Sequence, residues 1–204
     1  MKKTVSILGG IGLTVTLALS SCSSSVSTDE SKDFLEKLKS ATETKYDTKK
    51  VNNLYSVDIP DFMVSTTDLN DEATLQYNNL YKEKYIIVLD EDKETLISDL
   101  KSFGLYDEKR SLLDMFAEAK ESFIINESSV IGKINRKNKK INGMDAALTE
   151  FDSNVAGIPE AVTYHLAFVE GKENLYTVMA WTLTSRKADF KDEAAKMISS
   201  FREL

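Results

Sequence analysis

The sequence has very little cysteine or histidine: one of each, Cys22 and His165, in 204 residues. A single thiol cannot form a disulfide within the chain, so the fold must be held together by its hydrophobic core alone. The same scarcity argues against thiol redox chemistry and against zinc or copper sites, which draw their ligands from these two residue types.

Motifs for catalysis or cofactor binding are also lacking. The eight glycines form no phosphate-binding loop, and no Gly-x-Ser-x-Gly elbow is present to work with His165. His165 lies in an alternating "VTYHLAF" segment and is predicted to be a half-exposed strand residue. The "DEDKE" run at 90–94 lacks the glycine and closing glutamate of a calcium loop, and it suits a helix start instead. We therefore predict no catalytic, cofactor-binding or metal-binding residue, and a protein that is not an enzyme.

Positive charge is in the minority. There are 26 basic and 33 acidic residues, for a net charge of −7. This balance argues against nucleic acid as a partner. The one basic cluster, Arg136 to Lys140, lies between two strand-like segments. We interpret it as the solvated tip of a hairpin rather than a docking patch.

The lone cysteine follows an uncharged run from Val5 to Leu19 that is preceded by Lys2 and Lys3. That run is shorter than the roughly 20 residues of a spanning helix and fits a signal peptide. Leu19-Ser20-Ser21-Cys22 resembles the lipobox of bacterial lipoproteins. The resemblance implies diacylglycerol on the Cys22 sulfur, cleavage just before Cys22, and usually acylation of the new amino terminus.

These features predict three regions: a lipoprotein signal peptide at 1–21, a serine-rich tether at 22–30, and one domain at 31–204. Loss of Lys2 and Lys3 would leave 24 basic residues against 33 acidic ones, a net charge of −9. The expected location is the cell envelope, with the membrane as partner through the Cys22 anchor. Ser23 resembles the signal for outer-membrane sorting, provided that the cell has two membranes.

Hydrophobic periodicity predicts the order helix, three strands, two helices, four strands, helix. The first helix would carry Phe34 to Ala41, and the first strand would end at Pro60. The last two strands should pair across Glu170 to Asn174, and the final helix presents an apolar stripe from Phe190 to Phe201. Adjacent strands with short loops predict an α+β fold with a mostly antiparallel sheet of about six or seven strands flanked by helices.

Four stretches together resemble the PsbP-like, Mog-type and DcrB-like group: "YSVDIPDFM", "SSVIGKI", "INGMDAALTEF" and "LYTVMAWTLTSRKADFKDEAAKMISSF". The resemblance spans about 45–204. It implies an α/β/α sandwich and a role other than catalysis. No functional residue can be transferred from it by position.

Three functions remain open. The first is a lipid-anchored, non-catalytic binding or scaffolding module that acts through contacts with another envelope protein. The second is a small-molecule or lipid-binding lipoprotein, with an apolar pocket lined by residues such as Phe116, Phe123, Met144 and Trp181. The third is a hydrolase that uses carboxylates, since 33 acidic residues allow many pairs.

Overall fold

The computed structural model describes residues 43–126 and 128–204, together with the single helical residue Lys32. Within this part, 44–204 forms one compact unit. The predicted signal peptide, Cys22, the tether and the helix at 34–41 lie outside the described residues.

Ten strands and three α-helices make up the described part. The strands are β1 (Tyr46–Val51), β2 (Tyr55–Pro60), β3 (Val64–Ser65), β4 (Leu75–Asn79), β5 (Lys84–Asp92), β6 (Ser128–Ile141), β7 (Met144–Val155), β8 (Val162–Glu170), β9 (Asn174–Leu183) and β10 (Arg202–Glu203). The helices are α1 (Lys93–Ser102), α2 (Leu112–Asn126) and α3 (Lys187–Ser200), and a 3-10 turn at Thr184–Arg186 precedes α3. None of these helices is long and apolar enough to cross a membrane.

The strands form two sheets. The larger has seven antiparallel strands in the order β3-β4-β5-β9-β8-β7-β6, and the smaller has the order β1-β2-β10. This confirms the predicted α+β class and the size of the main sheet. The second sheet was not expected, because β1 is polar and β10 has only two residues. The two-residue strand β3 at the edge of the main sheet was likewise not predicted.

Side-chain alternation along the central strands gives the domain two hydrophobic cores. On one face of β9, Tyr176 and Val178 join a core with α3 and the small sheet. On the other face, Leu175 joins a core with Phe116 of α2 and Phe168 of β8. The main sheet is therefore covered on both faces, which gives the predicted layered arrangement.

The C-terminal helix buries the side chains that its sequence spacing indicated. Phe190, Ala194 and Met197 are fully buried. Phe201 is the residue that ends the helix, and its ring lies 5.2 Å from that of Tyr55 and 4.9 Å from that of Tyr176. This aromatic group joins α3 to both sheets.

The basic cluster at 136–140 is not a hairpin tip, so that prediction was wrong. These residues lie within β6, and the turn to β7 is at Asn142 and Gly143, with φ of 48° and 89°. An Asn-Gly pair with positive φ at both positions is the typical type I′ hairpin turn. The turn also holds α3: Asn142 Nδ2 donates to the carbonyl oxygens of Ser199 at 3.0 Å and Phe201 at 2.7 Å.

The acidic run at 90–94 ends β5 and starts α1. Asp92 is the N-cap residue, and its carboxylate accepts from the Thr95 backbone N–H at 2.8 Å and from the Thr95 hydroxyl at 2.8 Å. These hydrogen bonds hold the Asp92 pKa below its usual range. The run therefore starts a helix, as the sequence indicated, and the structure adds that Asp92 caps it.

Candidate functional site: a basic groove

A groove of about 630 Å³ runs between α3 and the end of the main sheet formed by β6, β7 and β8. We call it the basic groove. Its lining includes Lys137, Lys139, Lys140 and Ile141 of β6, Leu148 and Glu150 of β7, His165 of β8, and Lys191, Ala195, Ile198 and Ser199 of α3. It combines an aliphatic floor with lysines on both walls.

Strand register explains why these lysines face the groove. Lys137 lies opposite Leu148 and Lys139 lies opposite Ala146. Leu148 and Ala146 belong to the core beneath α3, so alternation directs both lysines to that face of the sheet.

The preceding basic residue, Arg136, points to the opposite face of the sheet. Its guanidinium binds the buried carboxylate of Glu121 on α2, with Nε at 3.0 Å from Oε1, and Glu121 also accepts from the Thr149 hydroxyl. The alternation of side chains along β6 thus places residues of the single basic run on two faces of the sheet. Arg136 anchors α2, and Lys137 and Lys139 line the basic groove.

His165 lies on the floor of the groove and is buried, with 8% of its surface exposed, which corrects the half-exposed prediction. The ring of Phe190, on the covering helix α3, has its centroid 6.2 Å from that of the imidazole. Periodicity assigned His165 to a strand but could not show that a helix from the end of the chain would cover it.

A charged network surrounds the imidazole. His165 Nδ1 lies 3.4 Å from Glu150 Oε2, and Lys187 Nζ binds Glu150 at 2.9 Å and Asp152 at 3.2 Å. Burial lowers the pKa of His165, and the Glu150 charge only partly opposes this effect. For Glu150, burial acts to raise the pKa, but the hydrogen bond from Lys187 and the nearby positive charges outweigh it and the pKa is lowered. The floor thus holds a neutral imidazole beside an ionised, already paired carboxylate.

The groove therefore has excess positive charge. Within the described residues, Lys137, Lys139 and Lys191 make no ion pair, and Lys140 pairs with Asp145 at 2.8 Å on the exposed surface. The carboxylate of Glu150 is engaged by Lys187. The groove is thus positively charged, whereas the chain as a whole has a net charge of −7.

The four residues expected to line an apolar pocket do not come together. Phe116 packs against Phe168 in one core, and Met144 packs against the other. Phe123 is 65% exposed, and Trp181 stacks on Tyr85 with ring centroids 5.3 Å apart. None of the four lines the basic groove or either of two other surface cavities of the described domain, one near Ser111 and one near Thr48.

The hydrolase hypothesis also finds little support in the described residues. No group of three or more acidic, histidine or cysteine side chains is arranged there to hold a metal ion. Glu150 and Asp152 lie near each other, but both are paired with Lys187. The carboxyl groups with shifted pKa values in this part of the chain, Asp92, Glu118, Glu150 and Glu160, are all lowered. A general acid would need a raised value.

Sequence reasoning named the β6 lysines but missed Lys191 and the Asn142 contacts to α3. Lys191 follows Lys187 by one helical turn, which predicts a shared helix face but not what that face meets. The Asn-Gly dipeptide at 142–143 was an available signal for the turn.

No family model matches the chain, and no curated protein matches it in sequence. The fold is similar to that of cyanobacterial PsbP (CyanoP) from Synechocystis sp. PCC 6803, with a TM-score of 0.55, 12% identity, and coverage of 79% of this chain and 94% of that one. This likeness supports the predicted PsbP-like fold group.

Two weaker structural matches were also found. One is the Ran-binding protein Mog1p of Saccharomyces cerevisiae, with a TM-score of 0.46, 11% identity, and coverage of 78% of this chain and 96% of that one. The other is LpqN of Mycobacterium tuberculosis, described as involved in cell envelope biogenesis, with a TM-score of 0.46, 8% identity, and coverage of 83% and 96%. At these identities the comparisons concern the fold alone.

Proposed function

We propose that this chain is a lipid-anchored, non-catalytic binding module of the bacterial cell envelope, and that it acts by binding another envelope protein through the basic groove. The observation that carries the proposal is the groove itself, where Lys137, Lys139 and Lys191 have no ion-pair partner in the described domain. Unpaired cations gathered around an aliphatic floor suit recognition better than reaction.

The proposed lipid anchor and envelope location rest on the sequence around Cys22. A charged start, an uncharged run and the Leu19-Ser20-Ser21-Cys22 box occur in the order of a lipoprotein signal. Each buried CH₂ of an acyl chain contributes about 0.8 kcal/mol, so the two or three chains of a lipoprotein hold it stably on a membrane. Ser23 favours the outer membrane in a cell that has two.

The shape of the groove favours a protein over a small apolar ligand. Small-molecule pockets bury most of their ligand among hydrophobic and aromatic side chains. Here lysines line both walls. Among the described residues, the apolar lining is aliphatic, with no Phe, Tyr or Trp ring, and consists of Ile141, Leu148, Leu166, Ala195 and Ile198. A partner's polar side chains could meet the walls while a short apolar segment covers the floor.

To test the lipid anchor, the full-length chain is expressed in a bacterial host beside the Cys22→Ala variant. Ser24→Ala is the matched control. We expect the wild type and the control to lose the first 21 residues, gain the mass of the acyl chains and sediment with the membrane. Cys22→Ala should lose the acyl mass and membrane partition. If all three are soluble and unmodified, the anchor is refuted.

A separate experiment tests whether a protein occupies the groove. It is crosslinking from Lys137 and Lys191 in intact cells.

A further inference from the structure

The basic groove borders an open edge of the main sheet. β6 is the outermost strand, and no strand of the described domain pairs with its outer side. A register shift between Ile131 and Asn135, with Gly132 at φ 79°, interrupts the strand and leaves 135–141 as a regular segment. Alternate residues of such an edge direct unpaired N–H and C=O groups outward, ready for another strand.

This edge is far more accessible than most strands. Residues 135–140 are all exposed, on both faces of the sheet. Lysines on an edge strand normally prevent unwanted pairing. Two copies of β6 placed side by side would bring like charges together, which is destabilising. The charges therefore exclude a second copy of this chain and favour a strand of opposite sign.

We propose that the occupant of this site is an extended acidic segment of the partner protein, which pairs with 135–141 of β6 as an additional strand. The inference rests on the proposed function and deepens it by naming the chemistry of the partner. Main-chain hydrogen bonds to the edge supply affinity, and alternate side chains supply specificity.

The spacing of the lysines fits such a strand. Lys137 and Lys139 are two residues apart on one face of β6, and side chains of an added strand repeat on the same face with the same period. Acidic residues at every second position would lie beside Lys137 and Lys139, and Lys191 of α3 faces them from the other wall. The side chains between them would point toward the α2 face of the sheet.

The binding test uses the purified full chain in detergent micelles and a short fluorescent peptide that alternates glutamate and threonine. Three comparison probes separate the contributions. They are the same peptide with glutamine for glutamate, the same peptide N-methylated at alternate backbone nitrogens, and vesicles of anionic phospholipid. Affinity is measured by fluorescence anisotropy, and protection of the β6 amides by hydrogen exchange.

We expect the acidic peptide to bind and to protect amides in 135–141. The affinity should fall about tenfold in Lys137→Glu/Lys139→Glu, since each surface charge pair contributes modestly. The matched control Lys50→Glu/Lys172→Glu makes the same change in net charge at exposed sites outside the groove lining, and its affinity should stay near that of the wild type. N-methylation should abolish binding, because it removes the edge hydrogen bonds without changing the charge.

Several outcomes would overturn the inference. Equal binding of the N-methylated peptide would show attraction of charge without strand pairing. An equal loss in both double variants would show a general field effect. Binding to anionic vesicles but not to the peptide would assign the groove to lipid headgroups. Absence of peptide binding with no β6 protection would refute an acidic strand, and the Cys22 experiment would still decide the anchor separately.

Discussion

The ion pair between Lys84 of β5 and Glu193 of α3 provides a quantitative test of how the last helix is fixed to the main sheet. The side chains of Lys84 and Glu193 are 7% and 16% exposed, and Lys84 Nζ also donates to the Asp189 carbonyl oxygen at 3.3 Å. The ammonium lies between aromatic rings, with its nitrogen 5.3 Å from the centroid of Phe62 and 5.7 Å from that of Phe190. The proposed perturbations are Glu193→Leu, Lys84→Met and the two combined.

The magnitude follows from burial. Removal of one partner of a buried pair leaves a charge without compensation and costs about 3–5 kcal/mol, whereas replacing both by apolar residues is often neutral. A domain of this size loses roughly 2–4 °C in melting temperature per kcal/mol, so each single variant should melt roughly 6–20 °C below the wild type. The double variant should recover most of that loss.

The assay is urea unfolding followed by circular dichroism for all four proteins, analysed as a double-mutant cycle. If the pair is buried as described, the coupling energy between Lys84 and Glu193 should be at least about 2 kcal/mol, in the sense that the double variant is more stable than the two single losses predict. If each single variant loses less than about 1 kcal/mol, the pair behaves as an exposed one. If the losses simply add, the two side chains are independent, and either result refutes the argument.

Two further predictions concern the walls and floor of the basic groove. Burial lowers the pKa of His165 from its ordinary 6.5, so below pH 6.5 the unfolded chain binds more protons than the native one, and the free energy of unfolding should fall as the pH falls toward the lowered value. His165→Gln should flatten this part of the pH profile of urea unfolding, and an unchanged profile would contradict it. Asn142→Gly keeps the positive φ of the turn accessible and should lose about 1–3 kcal/mol because it removes two hydrogen bonds to α3. The exposed Asn138→Ala on β6 is its control, and equal losses in the two variants would refute the role of the turn.

The sequence predicted best those elements whose apolar pattern is strong. The stripe from Phe190 to Met197 defined α3, and the charged loop after Glu170 defined the β8–β9 hairpin. β6 was harder because six successive residues from Asn135 to Lys140 are exposed and carry no alternation of apolar and polar side chains. The polar edge strand β6 is held by its backbone hydrogen bonds to β7. Backbone hydrogen bonds do not depend on side-chain type, so the sequence does not reveal them.

The candidate site was only half accessible to such reasoning. The β6 lysines could be identified from the sequence, but their division between two faces depends on a register that starts at the Asn142 turn. The helix wall of the groove comes from residues 191–199, far along the chain, and only the packing of α3 brings them beside β6. Contacts of this kind are set by tertiary structure and have no local signal.

The two-residue strand β10 has a consequence for the time course of folding. Arg202 pairs with Ser56 of β2, the Leu204 backbone N–H donates to the Leu54 carbonyl oxygen at 2.9 Å, and Phe201 stacks on Tyr55. The small sheet and its aromatic cluster thus cannot be completed until residues 201–204, the last of the domain, have been synthesised. Such non-local pairings slow folding. During synthesis, β2 can pair with β1 early, but it lacks its second neighbour until residues 202–204 have left the ribosome.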